Sequence, residues 1–257
     1  MLDNPIIKTM LNRKSIRKYT DKAPSDEVIQ TIVRAGQQAP FASQLYSVLL
    51  SRKKRIPLGA PLLFTICVDC YKLALFMARR NWQVVTNDLS LLLFGVQDAA
   101  LMAENMVMAA ESLGLGSCFL GSVPYRAERI IQEYKLPPRV FPLVQLAMGY
   151  PAQDPPPRPR YPIEFTLFED QYPEFTEEQI AEAMAAMDEG YLAQDYYCKL
   201  NANIPLKGER AETFSFDDYS WTEHISRKWG QWFPSPKGLL EQLQKCGFDL
   251  YENREAE

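Results

Sequence analysis

Residues 87 to 116 read NDLSLLLFGVQDAALMAENMVMAAESLGLG, and after the first two residues polar side chains return only at 90, 97–98, 104–105 and 111–112. A seven-residue recurrence is two helical turns, so the spacing predicts one helix over about 88–113, closed by Gly114. Such a helix has a narrow polar stripe and an apolar remainder. It must be covered on most sides, inside a core or across a subunit interface. A chain of 257 residues that also carries strands has modest room to surround it. The pattern therefore points to a dimer whose long helices pack together. A coiled coil fits less well, because the apolar positions far exceed an a/d seam.

The flanking sequence supplies the rest of an α+β chain. A first helix is expected over 4–12 with Pro5 in its first turn, and a second after Ser25, with Val28, Ile29, Ile32 and Val33 at helical spacing and Pro40 beyond its end. LYSVLLS, PLLFTICVD and VFPLVQLAMGY read as strands, SCFLGSV as a strand or turn, and residues 126–134 as a short helix. PAQDPPPRPRYP is extended. From about residue 176 the chain turns helical, and three of its four tryptophans (221, 229, 232) fall there, so this tail is expected to pack.

Composition narrows the function. A net charge of −4 and a pI near 5.3 disfavour nucleic acid. No uncharged apolar run approaches the roughly 20 residues of a membrane span, and the first residues lack a leader's apolar core. Five cysteines, an odd number, suit reduced thiols in the cytoplasm. Cys67 and Cys70 form a C-x-x-C at the end of an apolar run, where a structural role outweighs a redox or metal one. The lone histidine, His224, rules out a histidine-rich metal site and is expected to pack or face solvent. No metal site and no Walker A loop is expected, and GLGSCFLG lacks the spacing and context of a dinucleotide fingerprint. Chemistry would then come from a cofactor, with the protein supplying binding and electrostatics.

One dense cluster suits that role. NRKSIRKYT, residues 12–20, gathers Arg13, Lys14 and Arg17 around Ser15. It is either a solvated helix end, where cations are favoured, or an anion site.

NRKSIRKYTDKAPSDEVIQTIVRAGQQAP resembles the opening of the nitroreductase family. QDAALMAENMVMAAESLGLGSCFLGSV resembles that family's central helix and glycine turn, and LAMGYPAQDPPPRPRYP its following strand and basic pair. The tail, with YSWTEHISRKW and GLLEQLQKCGFDL, is similar to that of the larger flavin reductase and oxygen-insensitive NADPH nitroreductase branch.

The resemblance implies a nitroreductase-like α+β fold. It would have a central, mostly antiparallel sheet flanked by helices, a long central helix at a homodimer interface, an FMN-binding core over 1–165 and a helical C-terminal extension over 166–257. The extension would pack on the core or on the partner subunit. FMN would lie in a cleft formed by both subunits. Arg13, Lys14, Ser15 and Arg17 would serve its phosphate and pyrimidine side, with Arg158 and Arg160 closing on the phosphate. In an extended segment residues two apart point the same way, so these two guanidiniums would converge. Pro40, Phe41, Ala42, Ser43 and Gln44 would form a flavin-contacting loop, Gln44 offering an amide to ribityl or ring edges. Phe119, Leu120, Gly121 and Ser122 would lie against the ring, with the backbone of Gly121 or Ser122 near N5.

Two departures stand out. The family's Gly-Gly is Gly121-Ser122 here, and the arginine expected at Val123 or Pro124 is missing, which leaves the choice of NADPH or NADH open. Arg52-Lys53-Lys54-Arg55 reads as a solvated loop, or as a contact for a nucleotide phosphate. The expected activity is hydride transfer from NADPH or NADH through FMN to a small-molecule acceptor, in alternating (ping-pong) fashion. The alternatives are a flavin-binding protein with little turnover, a specialised reductive enzyme on the same fold, and a redox protein built on Cys67 and Cys70.

Overall fold

A computed structural model describes residues 3–52, 56–231 and 236–250. Lys53, Lys54, Arg55 and Trp232 lie outside the described residues, while Arg52 is paired with Asp26. The described chain forms two compact units, Met1–Pro155 with Ser235–Glu257, and Pro156–Pro234.

In the first unit the elements are α1 (Pro5–Asn12), α2 (Asp26–Gln37), β1 (Tyr46–Ser51), β2 (Leu62–Asp69), α3 (Tyr71–Arg79), α4 (Asp88–Ser112), β3 (Gly116–Leu120), α5 (Ala127–Tyr134) and β4 (Val140–Gly149). Local chemistry sets their starts. Asn4, Ser25 and Asn87 each accept backbone N–H groups of the first turn as side-chain caps of α1, α2 and α4. α3 has no such cap, since Cys70 makes no capping bond, and the sequence gives no start signal for it. Glycine in the left-handed region at Gly114 (φ +76) lets the chain turn from α4 into β3.

The sheet runs β1-β2-β4-β3, and every pairing is antiparallel. β2 is buried along its whole length. Phe64, Ile66, Leu146 and Met148 of the sheet meet Met102, Ala103, Met106, Val107 and Ala110 of α4, with Ile29 and Ile32 of α2 alongside. Close helix packing requires small residues: a methyl added at Gly36 would stand 2.6 Å from Met106, and one at Gly95 would collide with Val68.

α4 matches the expected span to within a residue, but one face of it carries exposed Leu89, Leu93, Phe94 and Leu101 within a single chain. By length and mean hydropathy it is the one described helix able to cross a membrane. Its inner face is instead the centre of the first unit's core.

The last helix, α9 (Pro236–Lys245), returns to the first unit rather than extending the second, which differs from a division at residue 165. Leu243, Cys246 and Phe248 pack with Val68, Ala127 and Phe141, and the Asp249 N–H donates to Asp88 Oδ2 at 2.8 Å.

The second unit holds α6 (Glu177–Leu192), α7 (Tyr196–Leu200) and α8 (Trp221–Gln231). A capping box between Thr176 and Gln179 starts α6. Tyr191 and Tyr197 stack at 5.6 Å, Tyr197 stacks on His224 at 4.5 Å, and His224 Nδ1 is 3.1 Å from the Tyr219 hydroxyl. His224 therefore packs. Buried Arg227 is held by Glu212 and Glu223, which gives its charge the partners a buried cation needs.

Candidate cofactor site

Only the first residue of the cationic cluster stands at a helix end. α1 has no basic residue in its last turn; Arg13 is its C-cap, and Lys14 and Arg17 lie beyond it in an extended bend. That bend is fixed to the sheet. Ser15 bridges Ser117 of β3, and the Ile16 N–H donates to the Ser117 carbonyl at 2.8 Å. Thr20 donates to Tyr150 at 2.9 Å, and the Tyr19 hydroxyl reaches the carbonyls of Ile16 (2.6 Å) and Ala147 (3.0 Å). Buried Ile16 packs where any side chain at Gly116 would collide with it, so the bend docks only because that residue is glycine.

Along the docked bend Arg13, Lys14 and Ser15 are half-buried, Ile16 is buried and Arg17 is exposed. Lys14 pairs with Asp154. Glu111 of α4 lies behind the cluster. Burial raises its carboxyl pKa against the opposing pull of Arg13 and Lys14, and its Oε1 is buried without a protein partner. The Ser117 hydroxyl is likewise buried and unpartnered.

β3 leads from this bend to the second expected segment. Phe119, Gly121 and Ser122 are exposed and Leu120 is half-buried. A methyl placed on Gly121 would have nothing within 4 Å, so open space lies over its backbone. From Ser117 to Gly121 the strand spans about 13 Å. Arg126, outside the expected set, donates from Nη2 to the Ser122 hydroxyl at 3.1 Å. The cation absent at Val123 and Pro124 thus comes back to Ser122 from one helical turn further on.

The third segment, Pro40–Gln44, is exposed at every residue and enters β1. It is braced from below by Asp98 of α4, which sequence reading passed over as part of a polar stripe. Gln97 is exposed, but Asp98 points inward at 1% exposure. Its carboxylate accepts the N–H groups of Ala42 (2.6 Å), Ser43 (3.1 Å) and Leu45 (2.9 Å). Gln44 sits in the left-handed region at φ 54.

The sheet separates this loop from Gly121. β1 and β3 are opposite edges, three strand spacings or about 14 Å apart.

Arg158 and Arg160 belong to the second unit and have different partners there. The Arg158 guanidinium lies 3.9 Å from the Tyr196 ring centroid and donates to Gln194. Arg160 donates back to the carbonyls of Arg158 (3.0 Å) and Pro159 (2.9 Å).

Cys67 and Cys70 are buried, and burial pushes their thiols up to about 12 and about 11 respectively. A low-pKa redox pair would need the reverse. Among the described residues no group of three histidine, cysteine or acidic side chains is placed to hold a metal.

Comparison with known proteins gives concordant results. A model of the nitroreductase family matches residues 10–55 and 49–150. The NADPH-dependent oxidoreductase of Staphylococcus haemolyticus (strain JCSC1435) is 34% identical over 259 residues, covering 93% of this chain and 95% of that protein. The NADPH-dependent oxidoreductase of Staphylococcus aureus (strain MSSA476) is 32% identical over 251 residues, covering 91% and 93%. The solved structure of NfrA2 from B. megaterium is similar with a TM-score of 0.82 at 26% identity, covering 97% of this chain and 100% of that one. The NADPH:FMN oxidoreductase from Vibrio harveyi, complexed with NAD+, gives a TM-score of 0.77 at 25% identity, covering 97% and 100%.

Proposed function

The chain belongs to the nitroreductase family, and from that premise we propose that it is an FMN-dependent oxidoreductase. On this reading it is a cytoplasmic homodimer that moves a hydride from NADPH or NADH to a small-molecule acceptor such as a nitroaromatic, a quinone or a free flavin. Neither a nucleic acid nor a membrane takes part.

The observation that carries this reading is the use of one short strand for two tasks. Its first residues anchor a bend bearing Arg13, Lys14 and Arg17, and its last open onto bare backbone at Gly121. An anion and a planar ring linked by a flexible chain suit that pair of features. The residues fit FMN: three cations for its phosphate and pyrimidine side, an unpartnered buried Ser117 hydroxyl beside the bend, and an unobstructed shelf at Gly121. A phosphate carries nearly two charges, and guanidinium groups meet it through charge-assisted bonds. Arg158 and Arg160 are proposed for the same phosphate on the strength of the family resemblance.

The chemistry the cofactor supplies when bound is hydride exchange at its N5, first with the nicotinamide and then with the acceptor. The protein's part is to hold the phosphate, to aim the backbone N–H of Gly121 or Ser122 at N5, and to leave one face open for both substrates in turn. Solvent supplies protons, so no side chain is assigned as an acid.

The homodimer is supported by the fold. Gly121 and the Pro40–Gln44 loop stand on opposite sheet edges of one subunit, whereas two subunits side by side can bring them to one ring. Exposed Leu93 (57%) and Phe94 of α4, and a groove of about 530 Å³ lined by Ile6, Met10, Met108 and Ala109, provide an apolar face for that association. NADPH is the preferred donor in this proposal: Arg126, held by Ser122, offers a cation near the open shelf, and the two Staphylococcus relatives are named NADPH-dependent oxidoreductases.

Steady-state kinetics with both substrates varied provide the test. Parallel double-reciprocal lines are expected for alternating transfer. Intersecting lines would show that donor and acceptor are bound together, contrary to the proposal.

A further inference from the structure

We infer that Asp98 is a positioning residue for the cofactor loop, fixing the backbone path that turns Ser43 and Gln44 outward; the inference rests on the FMN assignment made above.

Asp98 sits on α4, between three and four helical turns before Glu111, and is almost fully buried. Among the described residues no lysine, arginine or histidine pairs with it. Its charge is met by three backbone N–H groups alone, those of Ala42, Ser43 and Leu45. A carboxylate is costly to bury and is retained only where hydrogen bonds to it are complete. One of those bonds reaches buried Leu45 of the core, and the other two go to exposed Ala42 and Ser43. The five residues from Pro40 to Gln44 are all exposed, with Phe41 at 51%. Through the three bonds the carboxylate ties the conformation of that surface loop to the core.

That conformation has a definite consequence at Gln44. Three of the four amides from Ala42 to Leu45 point at Asp98, and the fourth, that of Gln44, does not. The residue adopts a left-handed backbone (φ 54), which glutamine does not favour unless its surroundings impose it. Gripping Ser43 and Leu45 on either side imposes it. Gln44 is thereby left exposed, with its N–H outside the grip of Asp98. An amide side chain there suits the polar edge of a flavin.

Asp98→Asn keeps the shape but sets an NH₂ group against donors that need an acceptor. FMN titration by fluorescence, visible circular dichroism of the bound flavin, and kcat and KM for NADPH would be compared with wild type. The expected result is a loss of FMN affinity of about tenfold or more, with an altered flavin dichroism and an unchanged far-UV spectrum. A variant with a lower melting temperature but wild-type FMN affinity and wild-type flavin dichroism would overturn the inference, leaving Asp98 a structural residue.

Should the variant not fold, hydrogen exchange on FMN-free wild-type protein decides. The amides of Ala42 and Ser43 should be protected although their side chains are exposed; exchange at the rate of an open loop would overturn the inference. Failure of wild-type protein to bind FMN is a separate result, and it would strike the cofactor assignment instead.

Discussion

Arg13, Lys14 and Arg17 differ in what holds them, and that difference predicts what each contributes. Lys14 is already paired with Asp154 and is half-buried, whereas Arg17 is exposed. An exposed guanidinium gains little from a surface carboxylate but more from a dianionic phosphate. Arg17→Ala and Arg160→Ala should each weaken FMN binding about tenfold at low salt, the Arg17 effect shrinking as salt rises. Unchanged affinity would remove that residue from the phosphate site. The cysteines make a contrasting case. With Cys67 and Cys246 pushed up to about 12 by burial and Cys70 to about 11, these thiols stay protonated at neutral pH. A thiol reagent at pH 8 (about the ordinary thiol pKa) should label exposed Cys198 quickly and spare the buried ones, and replacing Cys67 and Cys70 with serine should leave hydride transfer intact. Rapid labelling of Cys67 or Cys70, or lost turnover in the double variant, would revive the redox reading.

Elements inherit these constraints through packing. Met106 of α4 is fully buried between α2 and the sheet, so Met106→Ala should cost about 2–5 kcal/mol of stability in a denaturant titration. Gly116→Val acts differently: it pushes Ile16 off β3, and FMN affinity should fall with the detached bend. In the second unit, burial and then the Lys228 cation lower the pKa of His224, so the folded state resists the proton that the unfolded chain accepts. The stabilising contribution of the neutral ring is present above its ordinary pKa of 6.5 and is lost as the pH falls through and below that value. Melting temperature should therefore decline on acidification, and His224→Phe should flatten that decline. At this scale the sequence was readable wherever a cap or a period marked an element. α2, α4 and β2 follow from Ser25, from the seven-residue recurrence and from an unbroken β-rich run. α3 was not readable, because its cap position is Cys70 and makes no capping bond.

For the whole molecule, the periodicity of α4 calls for cover on most sides, and Leu89, Leu93, Phe94 and Leu101 are exposed in the single chain. Sedimentation equilibrium should give twice the chain mass of 29.5 kDa, and Phe94→Glu should shift the protein toward monomer and lower FMN affinity with it, since Gly121 and Gln44 would then lose their shared ring. A wild-type monomer that binds FMN fully would contradict the two-subunit site. The candidate site was legible in part. The basic cluster and the glycine turn are contiguous motifs, but Asp98 and Arg126 act through partners 53 or more residues away or one helical turn back, and only the fold brings them to their targets. Likewise, nothing in the run of residues 236–250 signals that α9 returns to the first unit; that depends on Leu243, Cys246 and Phe248 finding Val68 and Phe141.

The central claim is that this protein binds FMN and lets a reduced nicotinamide deliver hydride to it. The most direct measurement is the visible spectrum of the FMN-loaded protein as NADPH, and separately NADH, is added in the absence of oxygen. The account predicts prompt bleaching of the flavin band, faster with NADPH, and return of colour when a quinone is added. A flavin band that persists with both donors would contradict it and leave a flavin-binding protein without this turnover.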